Sequence, residues 1–99
     1  MMDVETLAQR IVTEFGYKEQ NAPLVAKKLL ASTPQIYAVV EQWWQTHTLS
    51  AIAIEGYTLN RLMREHGMNP IAAMLTLDWL AREPEKAMSS LARGHDRVS

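Results

Sequence analysis

Histidine side chains are the first candidates for catalysis or metal binding in this chain. The three histidines are His47, His66 and His95. Their spacing matches no metal-ligand pattern, and Glu65-His66 does not belong to an HExxH sequence. His47 and His66 fall in the last turns of predicted helices, where the helix dipole favours basic side chains. We therefore expect structural roles for these histidines and no metal site.

Patterns for nucleophilic catalysis and phosphate binding are also missing from the sequence. No serine stands in the Gly-x-Ser-x-Gly setting of a hydrolase nucleophile. The four glycines are isolated and form no phosphate-binding loop. The neighbouring carboxylates Asp78, Glu83 and Glu85 show no sign of the shared buried cleft that a catalytic acid pair needs. The sequence predicts no catalytic residue, no cofactor and no enzymatic activity.

The composition is typical of a small globular protein. The chain has 99 residues, of which 47% are hydrophobic and 21% charged, no cysteine, and a formal net charge of −1. This length suits one domain, so we expect a single helical domain over 1–99 with a polar tail at about 94–99. The charge balance excludes a chain-wide field that attracts polyanions. Because neither a signal peptide nor a long apolar segment is recognised, we expect a cytoplasmic protein without membrane contact.

Hydrophobic spacing of 3.6 residues predicts a series of short helices. They are expected over about 4–15, 22–32, 34–47, 58–66, 70–82 and 84–92. The residues predicted to cap helix starts are Asp3, Asn21, Thr33, Thr58 and Asn69. Residues 50–57 suit a strand, because Ile52 and Ile54 alternate with small or polar residues, and a helix is the alternative there. The predicted fold is all-α, a small single-domain bundle of five or six short helices with at most one short strand near 51–55.

The segment Pro70–Arg82 is apolar nearly all round when it is drawn as a helix. Such a helix has to be covered on two sides, and a chain of this size has enough other helices to cover one. We therefore expect an apolar patch to stay partly open around Trp44, Ile71, Leu75 and Trp79. An open patch of this kind is typical of a surface that binds a partner.

Two explanations compete for the many tryptophans and methionines of the chain. Core packing is the first, because most of them lie on predicted apolar faces. A binding surface is the second, and it leads to the preferred function. That function is a small non-enzymatic interaction module, which binds a protein partner or a second copy of itself through the patch on helix 70–82.

Leu62, Gly67, Met68 and the apolar run LTLDWLARE resemble the tri-helical core of helix-turn-helix proteins, winged-helix proteins in particular. The resemblance covers residues 34–82. It implies a scaffold helix, a short strand, a positioning helix and a second helix of the turn, at 34–47, 52–55, 58–66 and 70–82. The family's β-wing is absent, because Pro84 and another helix follow at that place.

This resemblance implies nucleic-acid binding, which is the alternative function. The basic residues that could contact phosphates are Arg61, Arg64, Arg82 and Lys86. Reading a base sequence requires Arg, Lys, Asn or Gln on the recognition helix. Between Pro70 and Ala81 the only polar side chains are Thr76 and Asp78, so nucleic acid is the less favoured partner.

A second and looser resemblance covers residues 4–45. Phe15-Gly16-Tyr17 stands between two predicted helices, and Ala38-Val39-Val40 falls in a third. This outline is similar to that of ubiquitin-associated three-helix domains, and it implies three packed helices in this part of the chain.

Overall fold

The computed structural model describes residues 2–98, with side chains through Arg93. This described part contains six helices and one two-stranded hairpin. The helices are α1 Val4–Phe15, α2 Ala22–Leu30, α3 Pro34–Thr46, α4 Leu59–His66, α5 Pro70–Arg82 and α6 Pro84–Val98. The predicted all-α class is confirmed. The chain forms two compact units, Met1–Thr48 and Leu49–Ser99, and a single domain over 1–99 stays a prediction.

Three of the predicted helix caps form as expected. The carboxylate of Asp3 accepts a hydrogen bond from the Thr6 amide at 2.8 Å. Thr58 accepts from the Arg61 amide at 3.1 Å, and Asn69 accepts from an amide of the first turn of α5 at 2.8 Å. These bonds satisfy amides that have no partner within their own helix.

The predicted caps at Asn21 and Thr33 were wrong in their side-chain role, because neither side chain makes a capping hydrogen bond. Asn21 already has helical backbone angles, φ −95° and ψ −27°. A turn before α2 explains this, because the amides of Asn21 and Ala22 both donate to the carbonyl of Lys18. A capping residue normally has an extended backbone. Because the backbone of Asn21 is already helical, its side chain does not cap α2.

The first unit is made of α1, α2 and α3. Helix α1 packs along α2, and α2 contacts α3. Gly16 ends α1 in the left-handed conformation, with φ 70°. The ring of Phe15 then lies 6.0 Å from that of Trp43 on α3. The buried apolar residues of this unit are Leu7, Ala8, Ile11, Ala22, Ala26, Leu29, Ile36, Val39, Val40 and Trp43.

The second unit begins with a hairpin, which decides between strand and helix for residues 50–57. Strand β1 Ala53–Ile54 pairs antiparallel with β2 Tyr57–Thr58. The turn residues Glu55 and Gly56 both have positive φ, 53° and 79°. Two such residues in a two-residue loop are the signature of the turn type that matches strand twist. The strand near 51–55 is thus present, and a second strand that the sequence did not predict accompanies it.

Helices α4, α5 and α6 complete the second unit. Helix α5 contacts α4, α6 and β1. The buried apolar residues are Leu59, Leu62, Ile71, Ala73, Met74, Leu77, Leu80, Ala87 and Leu91. Met88 of α6 is not part of this core, because it is 38% exposed. Helix α6 runs to Val98 and does not end near residue 92; the side chains of the predicted polar tail, 94–99, lie outside the described residues.

Candidate functional site

The predicted patch on α5 loses one of its members in the structure. Ile71 is 0% exposed and belongs to the core of the second unit. Three neighbours contact α5 within that unit, so its cover is more complete than the sequence suggested. Leu75 and Trp79 are half-buried and lie one turn apart on α5. Trp44, also half-buried, lies on α3 in the first unit.

The indole N–H of Trp79 is already hydrogen-bonded to a residue four positions later in the chain. Its indole N–H donates to Oε1 of Glu83 at 3.2 Å, and Oε2 of Glu83 lies 3.2 Å from Nζ of Lys86. The Lys86 ammonium, and after it the Trp79 indole, hold the pKa of Glu83 below its ordinary value. Trp79 therefore offers a partner only part of its ring, without a free hydrogen-bond donor.

The basic residues proposed for the nucleic-acid alternative all pair with carboxylates. Arg61 and Arg64 share Glu65, with N–O distances of 3.2 and 3.8 Å. In the same way Arg82 lies 2.9 Å from Asp78, and Lys86 pairs with Glu83. Because a carboxylate beside each cation reduces the positive potential that phosphates meet, these four residues form no strongly basic surface.

An open groove lies along α3, and we call it the Trp44 groove. It encloses about 550 Å³ and is lined by Met2, Tyr37, Glu41, Trp44 and Gln45. Four of these residues occupy one face of α3, because positions three, four and seven apart are neighbours on a helix. The side chains of Tyr37 and Trp44 are both half-buried.

The wall of the Trp44 groove is held by Arg10 of α1. Its guanidinium carbon lies 4.3 Å from the Trp43 ring centroid and 5.0 Å from that of Trp44. Nη1 donates to the Trp44 carbonyl oxygen at 2.9 Å, and Nη2 lies 2.8 Å from Nδ1 of His47. Nε pairs with Glu14 one turn further along α1. These contacts fix the backbone at Trp44 and restrict the orientation of its ring.

Arg10 and Glu41 are site residues that the sequence did not identify. Glu41 is exposed, whereas the side chain of Arg10 is only 14% exposed. The spacing of Arg10 and Glu14 favours an ion pair along α1. Contacts of Arg10 with α3 depend on how the helices pack, and no local pattern contains that information.

The described residues were also compared with the requirements of a metal site and of a membrane span. No group of three or more His, Cys, Asp or Glu residues with metal-binding geometry occurs within them. The helices in the same part of the chain lack the combination of length and apolar character that crossing a bilayer requires.

Comparison with protein-family models, with curated proteins and with solved structures gave no match. The helix-turn-helix and ubiquitin-associated resemblances therefore stay predictions. Among the surfaces of the chain, the Trp44 groove combines an open volume with two half-buried aromatic side chains.

Proposed function

We propose that this chain is a small non-enzymatic interaction module and that it binds a protein partner through the Trp44 groove. The observation that carries the proposal is the arrangement of Trp44, which is half-exposed at the edge of an open groove and held from behind by Arg10. Binding energy in protein interfaces concentrates in a few residues, and tryptophan, tyrosine and arginine are the most frequent among them.

Preorganisation supports the choice of this groove. A side chain that is already immobile loses little conformational entropy when a partner binds. The Trp44 backbone is fixed by the hydrogen bond from Arg10, and its ring lies 6.4 Å from that of Trp43 in an edge-on arrangement. Trp43 itself is buried. The exposed part of Trp44 is thus the outer end of a packed aromatic cluster.

The surface of α5 is the weaker candidate for the same function. With Ile71 in the core, Leu75 and Trp79 are the members of the predicted patch that remain accessible on that helix. The indole N–H of Trp79 is already bonded to Glu83 and cannot donate to a partner without breaking that bond. The proposed contact surface therefore lies on α3 and not on α5, with Trp44 as its central residue.

Site-specific photo-crosslinking in the cells that produce the protein tests this proposal. A benzophenone amino acid replaces Gln45 in the groove, and in a matched control it replaces Lys28, which is exposed on α2. We expect a discrete adduct from position 45, no such adduct from position 28, and its loss in a Trp44→Ala background. A Tyr37→Ser background serves as a second test if Trp44→Ala unfolds, which circular dichroism reveals.

The mass of the adduct identifies the kind of partner. Twice the mass of the chain means a second copy, and any other discrete mass means a different protein. An adduct from a benzophenone at Leu75 but not at Gln45 would place the binding surface on α5. Absence of adducts from both positions would contradict the proposed function.

A further inference from the structure

We infer that the Trp44 groove recognises a basic segment of the partner protein and receives a lysine side chain between Tyr37 and Trp44, opposite Glu41. This inference names the chemistry of the partner and rests on the proposed function. Three features of α3 support it, namely the two aromatic rings, the carboxylate between them and the absence of a neutralising partner for that carboxylate.

The spacing on α3 brings an acid between two aromatic side chains. Glu41 is four residues after Tyr37 and three before Trp44, so all three project from one face of the helix. Cations bind over the faces of tryptophan and tyrosine rings, and the attraction grows when water is partly excluded. The half-buried rings of Tyr37 and Trp44 provide such surroundings at the groove.

Glu41 brings a negative charge that nothing in the described chain neutralises. Among the residues with described side chains, Glu41 is exposed and makes no ion pair or hydrogen bond. This sets it apart from Glu14, Glu65 and Glu83, each of which lies beside a cation. The side chains of Met2 and Gln45, which also line the groove, carry no charge. Counted over the lining residues with described side chains, the charge at the groove opening is therefore negative.

Arg10 lies on the same tryptophan and has to be weighed against a second cation. Its charge is offset by the ion pair with Glu14, and its N–H groups are directed to Glu14, the Trp44 carbonyl and His47. Counting Arg10, Glu14 and Glu41 together leaves one net negative charge beside Trp44. A lysine entering at Glu41 thus meets a net attraction. An acidic segment would meet repulsion from Glu41.

An NMR titration with a defined basic peptide tests this inference. The probe is hexalysine, added to the isotope-labelled full chain at physiological ionic strength, with hexaglutamate as the opposite-charge control. We expect saturable shifts of the Trp44 indole N–H and of the amides of Tyr37, Glu41 and Gln45. The Trp43 and Trp79 indoles serve as internal references, and we expect them to keep their positions.

Two variants with the same change of charge separate groove binding from general attraction. Glu41→Gln removes the carboxylate of the groove, and Glu85→Gln removes an exposed carboxylate of α6. We expect Glu41→Gln to weaken hexalysine binding by about threefold or more, and Glu85→Gln to leave it unchanged. Equal weakening by both variants, shifts scattered over the surface, or stronger binding of hexaglutamate would overturn the inference.

The crosslinking and the peptide titration together separate failure of the lysine inference from failure of the proposed function. If the crosslink from position 45 forms and persists in Glu41→Gln while hexalysine does not bind at Trp44, the groove binds a protein but does not select a lysine. If the crosslink disappears in Glu41→Gln and hexalysine binds at Trp44, both statements hold.

Discussion

The guanidinium carbon of Arg10 lies 4.3 Å from the centroid of the Trp43 ring, and the same group donates a hydrogen bond to the carbonyl of Trp44. One side chain of α1 thus packs against both tryptophans of α3. This contact joins α1 to the carboxyl end of α3, beside the Trp44 groove.

Replacing Arg10 is expected to destabilise the first unit. Arg10→Ala removes two cation–π contacts and a partly buried hydrogen bond, which together contribute about 2 kcal/mol to the free energy of unfolding. Arg10→Lys keeps the charge but loses the planar fork, so we expect about half of that loss. Urea unfolding followed by circular dichroism measures both. Arg64→Ala is the control, because that side chain is 69% exposed, and a change within about 0.5 kcal/mol is expected. Equal stability of wild type and Arg10→Ala would contradict the role of Arg10.

We expect the stability of the protein to depend on pH, because the carboxylate of Asp3 caps helix α1. Hydrogen bonds from the Thr6 amide and hydroxyl hold the pKa of Asp3 below its ordinary value of 3.8. A carboxyl group whose folded pKa is depressed stabilises the protein above its unfolded pKa, and this stability is lost as pH falls through the folded pKa. Asp3→Asn keeps a neutral capping acceptor. We therefore expect it to lower Tm at neutral pH and to match wild type in strong acid.

Thermal unfolding at neutral pH and at about pH 2 measures this difference. Glu41→Gln, which changes an exposed carboxylate in the middle of α3, is the control and should behave like wild type at both pH values. A Tm gap for Asp3→Asn that stays constant from neutral pH into acid would show that the charge of Asp3 is not the source.

Substitutions at the two adjacent residues of the hairpin turn are expected to change the free energy of unfolding in opposite directions. Glu55 has φ 53°, which costs a non-glycine residue energy, whereas Gly56 has φ 79° without such a cost. We expect Glu55→Gly to raise the free energy of unfolding by about 0.5 kcal/mol and Gly56→Ala to lower it by about 1 kcal/mol. A Cβ at Gly56 would meet only Arg61 Nη1 at 3.9 Å, so strain and not a clash causes the loss. Urea unfolding that gives the same sign for both variants would contradict this turn.

The nucleic-acid alternative makes a separate prediction. Because Arg61, Arg64, Arg82 and Lys86 all face carboxylates, we expect no measurable affinity for duplex DNA even at low salt. Fluorescence anisotropy with a labelled duplex measures this. Affinity that falls steeply with added salt, and that disappears in the double variant Arg61→Ala, Arg64→Ala, would instead support the alternative.

Much of the secondary structure follows from local chemistry that the sequence states directly. Helix starts are marked by residues whose side chains accept a hydrogen bond from a first-turn amide, namely Asp3, Thr58 and Asn69. Helix ends are marked by glycines in the left-handed conformation, namely Gly16 and Gly67. Asn21 misled the prediction because a turn two residues earlier had already begun the helical path.

The surface of the chain was harder to predict than its helices. Ile71 and Leu75 are one turn apart on α5 and looked equivalent, yet one is in the core and the other half-buried. The difference depends on which neighbours α5 meets. Arg10 illustrates the reverse case, because a charged residue of α1 packs against two tryptophan rings.

The most direct test of the proposed binding surface uses fluorine NMR of the chain labelled with 5-fluorotryptophan. Trp43, Trp44 and Trp79 then give three resonances, which report on the first core, the Trp44 groove and the surface of α5. We predict that concentrated extract of the native cells shifts or broadens the Trp44 resonance and leaves the other two unchanged. An unchanged Trp44 resonance, whether or not that of Trp79 changes, would contradict the assignment of partner binding to the groove.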